Sequence, residues 1–381
     1  MTITTLPDAV VRRPLAALPF WVSLTLIPIV VIGALQGGWW VALTPLYSWG
    51  LYSILDALAG QEETNADPNM ERTGLQWYRA ITLIWAPVQF VTLFWLIWYV
   101  TRADHLSGLE MWGLFFGMGI ASGTVGINYA HELMHQKPKV DRWMADILLA
   151  MVLYSHFRSE HLLVHHRYVA TPRDPATSRY NEGFPRFLIR VLRDSFLSAV
   201  HAEKAMLARK KLPVTDRSNP FWRYAALQLG FLTLAVILGG WVGLLLFMVQ
   251  AITAIWQLEL VNYIEHYGLT RRHLGDGKYE PVRPHHSWNS DQKASNWLLI
   301  NLQRHSDHHY KPDRPFPLLQ TYDADEAPQL PAGYPVMTAA AMVPPIWRRM
   351  MNPKVRAWRK QHYPDIEDWS AYKTATNPLP R

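Results

Sequence analysis

Five apolar stretches, at 18–35, 40–59, 81–100, 109–130 and 221–261, limit what this chain can fold into. Several approach the roughly 20 residues that an α-helix needs to cross the hydrocarbon core of a bilayer. Lipid offers no partner to backbone N–H and C=O groups, so a spanning segment must satisfy them internally, as a helix does. Gly37-Gly38 turns the chain between the first two stretches, and Gly239-Gly240 divides the last into two spans joined by a tight hairpin. Six spans result. Half of the 381 residues are hydrophobic, yet the mean hydropathy is only −0.05, so a substantial polar portion balances the spans.

That polar portion orients the chain. The segment 136–219 is rich in Lys and Arg, whereas the turns at 36–39 and 239–240 carry no charge. With six spans, both termini and the large loop share one side, and the positive-inside rule makes that side cytoplasmic. The expected fold class is all-α: a polytopic membrane protein with six transmembrane helices and a cytosolic, histidine-rich helical cap. Its parts are an N-terminal arm (1–17), four helices (18–135), a first cap segment (136–220), two helices (221–266), a second cap segment (267–352) and a tail (353–381). The apolar patch 147–154 is too short to span and reads as a buried or re-entrant helix.

Composition removes several functions. The formal charge of +7 does not mark a nucleic-acid binder, because Lys and Arg form no basic stripe interleaved with stacking aromatics. With no Cys, the chain holds no disulfide, no thiolate-bound iron–sulfur cluster and no zinc–cysteine site. No cleavable signal peptide is expected ahead of the first span.

Histidine is the informative residue. Of sixteen, nine fall in four groups near the cytosolic ends of spans. These are His131-Glu132-Leu133-Met134-His135, then His161 with His165-His166, then His266, then His305-Ser306-Asp307-His308-His309. Crowded imidazoles pack poorly, since each buried ring must find polar partners. A transition metal resolves the conflict, because neutral imidazole nitrogen is a ligand for zinc, copper, iron and nickel. At helical spacing His131 and His135 share a face and can hold one ion. His161 and His165 repeat that spacing, with His166 turned about 100° further round, toward a second ion. His305, His308 and His309 are expected to point the same way. Nine imidazoles exceed what one ion takes, so two metals are the economical reading.

Two competitors start from the same residues. The first group alone matches the H-E-x-x-H pattern of zinc proteases, with Glu132 as base, but that chemistry leaves six histidines unexplained. A metal transporter would carry polar ligands within the spans, whereas these histidines gather at one surface.

The four groups together resemble the integral-membrane alkane 1-monooxygenases, relatives of the membrane fatty-acid desaturases and xylene monooxygenase. The likeness covers about residues 15–350 and includes Leu55-Asp56-Ala57-Leu58 and Arg283-Pro284-His285-His286-Ser287-Trp288-Asn289. Desaturases usually carry H-x-x-H-H in the second group, where this chain has the H-x-x-x-H-H of the hydroxylases. Gln136 stands where many members carry Lys. The resemblance implies a non-haem diiron enzyme of the bacterial inner membrane. It would insert one oxygen atom from O₂ into the terminal methyl group of a medium-chain n-alkane. Two electrons would come from a separate rubredoxin and its reductase. Carried over residue by residue, the iron ligands are His131, His135, His161, His165, His166, His266, His305, His308 and His309. A related fatty-acyl desaturase or hydroxylase, or a xylene-type enzyme, is the alternative within the superfamily.

Around such a site, carboxylates next to ligands are expected to fix the ring tautomers. Glu132, Glu160, Asp174, Glu265 and Asp307 are the candidates, while His285 and His286 are expected to be structural or supporting. Burial of each CH₂ from water is worth about 0.8 kcal/mol, but an alkane already in lipid has gained it. Chain-length choice must then come from shape, with a bulky side chain closing the far end. Trp49, Leu51 and Ile54 on the second span and Phe115, Phe116 and Met118 on the fourth are the candidates.

Overall fold

The computed structural model describes residues 3–370 and Tyr372. The chain is mostly helical. Three helices are long and apolar enough to cross a membrane: α1 (Pro14–Gln36), α3 (Gln76–Val100) and α8 (Pro220–His266). Between α1 and α3, Gly37 and Gly38 take φ of 63° and 56°, reversing the chain into residues 38–59. That segment is irregular, with 3-10 turns at Gly38–Ala42, π turns at Leu46–Leu51 and an α-helix, α2 (Tyr52–Ala59), closing it. The fourth apolar stretch is likewise composite. α4 (Gly108–Ala121) passes through π turns at Ser122–Ile127 into α5 (Asn128–His135). α8 breaks at Gly240, whose φ of 59° and ψ of −152° give the expected hairpin.

Both faces of the packing follow from composition. Outward, Val91, Leu229 and Ile237 are exposed on helices apolar all round, the habit of a membrane-spanning helix. Trp39 and Trp241 stand beside the two glycine turns, 92% and 75% exposed, where an amphipathic ring suits a membrane–water boundary. Inward, α4 meets α8 across Gly119 and Gly123. A Cβ on Gly119 would stand 2.5 Å from Thr253 Cβ and 2.6 Å from the Gln250 carbonyl oxygen, so only glycine lets the backbones come this close. Small residues four apart serve this purpose wherever lipid removes the hydrophobic drive for helices to associate.

The apolar patch at 147–154 forms the end of α6 (Lys139–Met151) and the turn after it, with Leu148, Leu149 and Met151 fully buried. It is a core helix. The cap continues with the amphipathic α7 (Phe184–Arg209) and, beyond α8, with α9 (His305–Tyr310), α10 (Tyr334–Ala341) and α11 (Pro344–His362). Two small sheets qualify the all-α expectation. β1 (Thr4–Leu6) pairs in parallel with β2 (Thr64–Ala66), and β3 (His273–Gly275) pairs with β4 (Lys278–Tyr279). Buried Arg304 reaches the first sheet through the Thr64 carbonyl, at 2.9 Å, and so ties the segment before α9 to it.

The tail expected from 353 is corrected. α11 runs straight through Pro353, because Trp347, Met351, Val355 and Trp358 form one apolar stripe buried around Tyr263 and Tyr267. That stripe outweighs the single backbone hydrogen bond a proline removes. The terminal residues 377–381 lie outside the described residues.

The α4–α8 seam gives a direct test. Gly119→Ala is expected to destabilise the protein by about 1–3 kcal/mol through overpacking. Gly230→Ala, where an added Cβ meets nothing within 4 Å, should be neutral or stabilising. Thermal unfolding in detergent, followed by circular dichroism, compares the two.

Candidate metal centre

Four pieces of chain converge at the cap end of the long helices. α5 delivers His131 and His135 in its last two turns, and π turns over His161–His165 carry the second group. His266 is the final residue of α8, and α9 holds His305, His308 and His309. The nine rings form two sets. His131, His135, His161, His166 and His308 make one, and His165, His266, His305 and His309 the other; within each, the nitrogens that face inward all lie within 4.8 Å of one another.

This division differs from the one expected from helical spacing, and the backbone explains it. In π turns the hydrogen bonds run from i to i+5, so residues five apart overlie each other. His161 therefore pairs with His166, their Nε2 atoms 2.9 Å apart, and His165 turns away to the second set. In α9 the i, i+4 pair His305 and His309 stays together at 2.9 Å, while His308, about 100° round the helix, crosses to the first set. The α-helical pair His131 and His135 remains in one set, as its spacing requires.

The ring nitrogens have too few protons to satisfy each other. His161 Nε2 lies 3.0, 3.1 and 2.9 Å from the Nε2 atoms of His131, His135 and His166. A neutral imidazole carries one N–H, so most of these contacts set lone pair against lone pair. Protonation does not relieve them: burial and the neighbouring rings hold His161, His166, His308 and His309 well below the ordinary histidine range. A cation does. Imidazole nitrogens about 2.1 Å from a common ion, at right angles to one another, stand about 3.0 Å apart. The nitrogens present therefore fit a transition metal.

Carboxylates reach the second set. Asp174 Oδ2 accepts from His165 Nδ1 at 2.9 Å and from the Thr177 hydroxyl at 2.6 Å, which keeps the His165 Nε2 lone pair facing inward. Glu265 Oε2 lies 3.3 Å from His305 Nε2, and its Oε1 accepts from the Tyr334 hydroxyl at 2.7 Å. Two of the other three candidates have different partners among the described residues. Asp307 binds Arg314, the Tyr322 hydroxyl at 2.5 Å and the Gln320 N–H at 3.0 Å, so it fastens the loop after α9 rather than a ring. Glu132 accepts from Gln136 Nε2 at 2.8 Å and from the Phe316 N–H at 3.4 Å. Glu160 is buried, and burial, with the nearby charges of Asp174 and Glu259, raises its carboxyl well above the usual range.

An apolar cavity abuts both sets. Its walls include His131, His161, His305, Trp49, Gly123 and Ile127. Of the six channel candidates only Trp49 lines it. Leu51 and Ile54 point outward, 39% and 58% exposed, since two and five residues on from Trp49 they fall on another side of the helix. Phe115 and Met118 are packed in the core, and Phe116 stacks edge-on against Trp49 at 6.2 Å. Sequence reasoning missed Thr124, Asn128, Gln257, Asn262 and Tyr334, which also line the cavity. Three of these, Thr124, Asn128 and Gln257, are polar residues inside apolar runs, a signal available in the sequence.

Comparison with known proteins agrees with this geometry. A family model described as fatty acid desaturase matches residues 107–341. Alkane 1-monooxygenase 2 of Pseudomonas aeruginosa is 38% identical over 325 residues, 84% of each chain. Alkane 1-monooxygenase 2 of Alcanivorax borkumensis is 35% identical over 361 residues, covering 92% of this chain and 94% of its own. The chain belongs to the alkane 1-monooxygenase family. It is therefore a membrane-associated oxidoreductase with a histidine-rich metal site. The hydroxylase component of xylene/toluene monooxygenase from Pseudomonas putida is more distant, at 27% over 345 residues.

Family membership sets aside the zinc-protease reading of His131 and His135, and the geometry agrees, since the Glu132 carboxylate is taken up by Gln136 and Phe316. His285 and His286 lie apart from both sets. His285 stacks on His362 at 4.2 Å and His286 Nε2 meets the Tyr363 hydroxyl at 2.8 Å. Their segment works through its backbone and Asn289, which exchanges hydrogen bonds with Ser306 at 2.7 and 2.8 Å and so steadies α9. In an alkane 1-monooxygenase of this geometry, Asp174→Asn should weaken metal binding about 10–100-fold with little loss of folded protein. Metal titration of the apo-protein, with circular dichroism as the folding control, measures it.

Proposed function

We propose that this chain is a non-haem diiron monooxygenase converting medium-chain n-alkanes to 1-alkanols. One observation carries the reading: two separate nitrogen sets, of five and four, stand at the wall of an apolar cavity. His131, His135, His161, His166 and His308 would hold one iron, and His165, His266, His305 and His309 the other. When bound, the pair of irons supplies the reduction of O₂ and the oxygen atom that enters the terminal C–H bond. Overall, alkane, O₂, two electrons and two protons give alcohol and water.

The chain's own residues do the rest. Asp174 holds the His165 proton on Nδ1, and Tyr334 steadies Glu265 beside His305. The apolar wall keeps water from the reacting carbon and aligns the chain end-on, which converts binding into orientation. Trp49, on the cavity wall, would stop a long substrate. Imidazole ligands are neutral, so Asp174, hydrogen-bonded to His165, would supply negative charge to offset that of the metals on that side.

Six spans in the bacterial inner membrane complete the proposal: α1, the segment 38–59, α3, α4 with α5, and the two halves of α8. The cap segments at 136–220 and 267–352, the N-terminal arm and the histidine sets would face the cytoplasm. The Lys and Arg of 136–219 support that orientation. The electrons would come from rubredoxin. Without Cys these 381 residues cannot themselves hold that protein's thiolate-bound iron. Rubredoxins are typically acidic, and a basic cytosolic face speeds such an encounter.

Purified protein should contain two irons per chain and form 1-octanol from octane with O₂, rubredoxin and its reductase. One metal per chain, or no alcohol with both irons present, would overturn the reading. Trp49→Ser should extend the products to longer alkanols, read by gas chromatography of a chain-length series; an unchanged profile removes Trp49 as the stop.

A further inference from the structure

Beside the histidine cavity, a second hollow opens on the flank of the molecule. Phe116 of α4, Leu188 and Leu192 of α7, and Ile252 and Trp256 of α8 line it. Its mouth is exposed, with Ile252 61% and Leu192 38% accessible. Thr253 also borders it, but its hydroxyl is spent on the Val249 carbonyl at 2.9 Å. The hollow therefore offers a carboxylate or headgroup nothing to bind.

α7 sets the depth at which this hollow sits. Phe187, Val191, Ser195 and Ala199 form its buried row. Leu188, Leu192 and Phe196 form the next row round, and Arg186 and Arg193 lie exposed beside them. A helix with an open apolar row flanked by cations lies at the boundary between headgroups and acyl chains. The groove between α7 and α8 thus faces hydrocarbon, where a dissolved alkane resides.

The inner end of the groove is aromatic. The rings of Trp256 and Phe116 stand 6.0 and 6.2 Å from that of Trp49, both edge to face. Trp49 is also a wall of the cavity that holds His131, His161 and His305. One layer of three rings therefore separates lipid from the site. Aromatic pairs of this kind are worth about 0.5–1.5 kcal/mol each, so turning one ring opens the layer at modest cost.

We infer that this groove is the lateral entrance through which a linear alkyl chain passes from the bilayer to the histidines, with Trp256 and Phe116 as its gate. The inference rests on the alkane-oxidising reading above. It assigns Trp256, Leu188 and Leu192 to substrate access, separate from the role of Trp49 in ending the cavity.

Because the chain has no Cys, a single introduced one is labelled uniquely. Leu192→Cys in nanodiscs, compared before and after reaction with a bulky maleimide, should show the KM for octane rising at least fivefold with kcat within twofold. Ile237→Cys, 70% exposed in the first half of α8, should show no such change on the same treatment. An unchanged KM at 192, a loss of kcat alone, or an equal effect at 237 overturns the entrance. A photoreactive alkyl diazirine supplies a readout that needs no turnover. Crosslinks at Leu188, Leu192, Ile252 or Trp256 that excess octane suppresses support the groove, and crosslinks scattered over the outer helices without competition refute it. If the unsubstituted protein makes no alcohol, the oxidising reading fails, and the crosslink map still judges the groove.

Discussion

Nine imidazoles crowded into one largely buried space, with ring nitrogens turned on one another, are the arrangement the rest of this protein serves. Ring nitrogens 2.9–3.2 Å apart repel unless something positive lies between them. Such a cluster persists only where the surroundings impose it. Here they do so through rigid helix ends, the Asn289–Ser306 clasp, the anchor of Arg304 on β2, and Asp307, which binds the following loop. Ile300 and Asn301, both at positive φ just ahead of α9, show how tightly the chain is bent to present it.

The membrane helices contribute position more than chemistry. α4 with α5 and the second half of α8 lie against each other along the Gly119–Gly123 seam, and both end in histidine. A seam without side chains leaves little freedom for one helix to slide against the other, so His131 and His266 are held in register. The cap then closes over them through Tyr263, Tyr267, Trp347 and Trp358, a second aromatic core distinct from that of the bundle.

Much of this was legible in residue order. The apolar stretches gave the helices, the glycine pairs gave the turns, and the spacing of histidines brought nine of them to one place. Three things were not legible. The π turns at His161–His165 depend on one extra residue per turn, which side-chain periodicity does not reveal; they misdirected the partners of His165 and His166. Adjacency in sequence also misled for Asp307 and Glu132, because a residue next to a ligand on a helix points about 100° away from it. Finally, Pro353 and the polar residues around it hid the buried stripe of α11, which is plain only once Tyr263 and Tyr267 are there to receive it.

The π turns over His161–His165 have one more implication. Because the two sets draw alternately on a run of six residues, what this run must preserve is its length. Leu162, Leu163 and Val164 tolerate exchange for other apolar residues as far as the nitrogens are concerned. Removing any one of them would restore an ordinary α-helical turn and swap which ring faces which set. Over evolutionary time, such a segment is free to drift in composition while remaining closed to insertion and deletion.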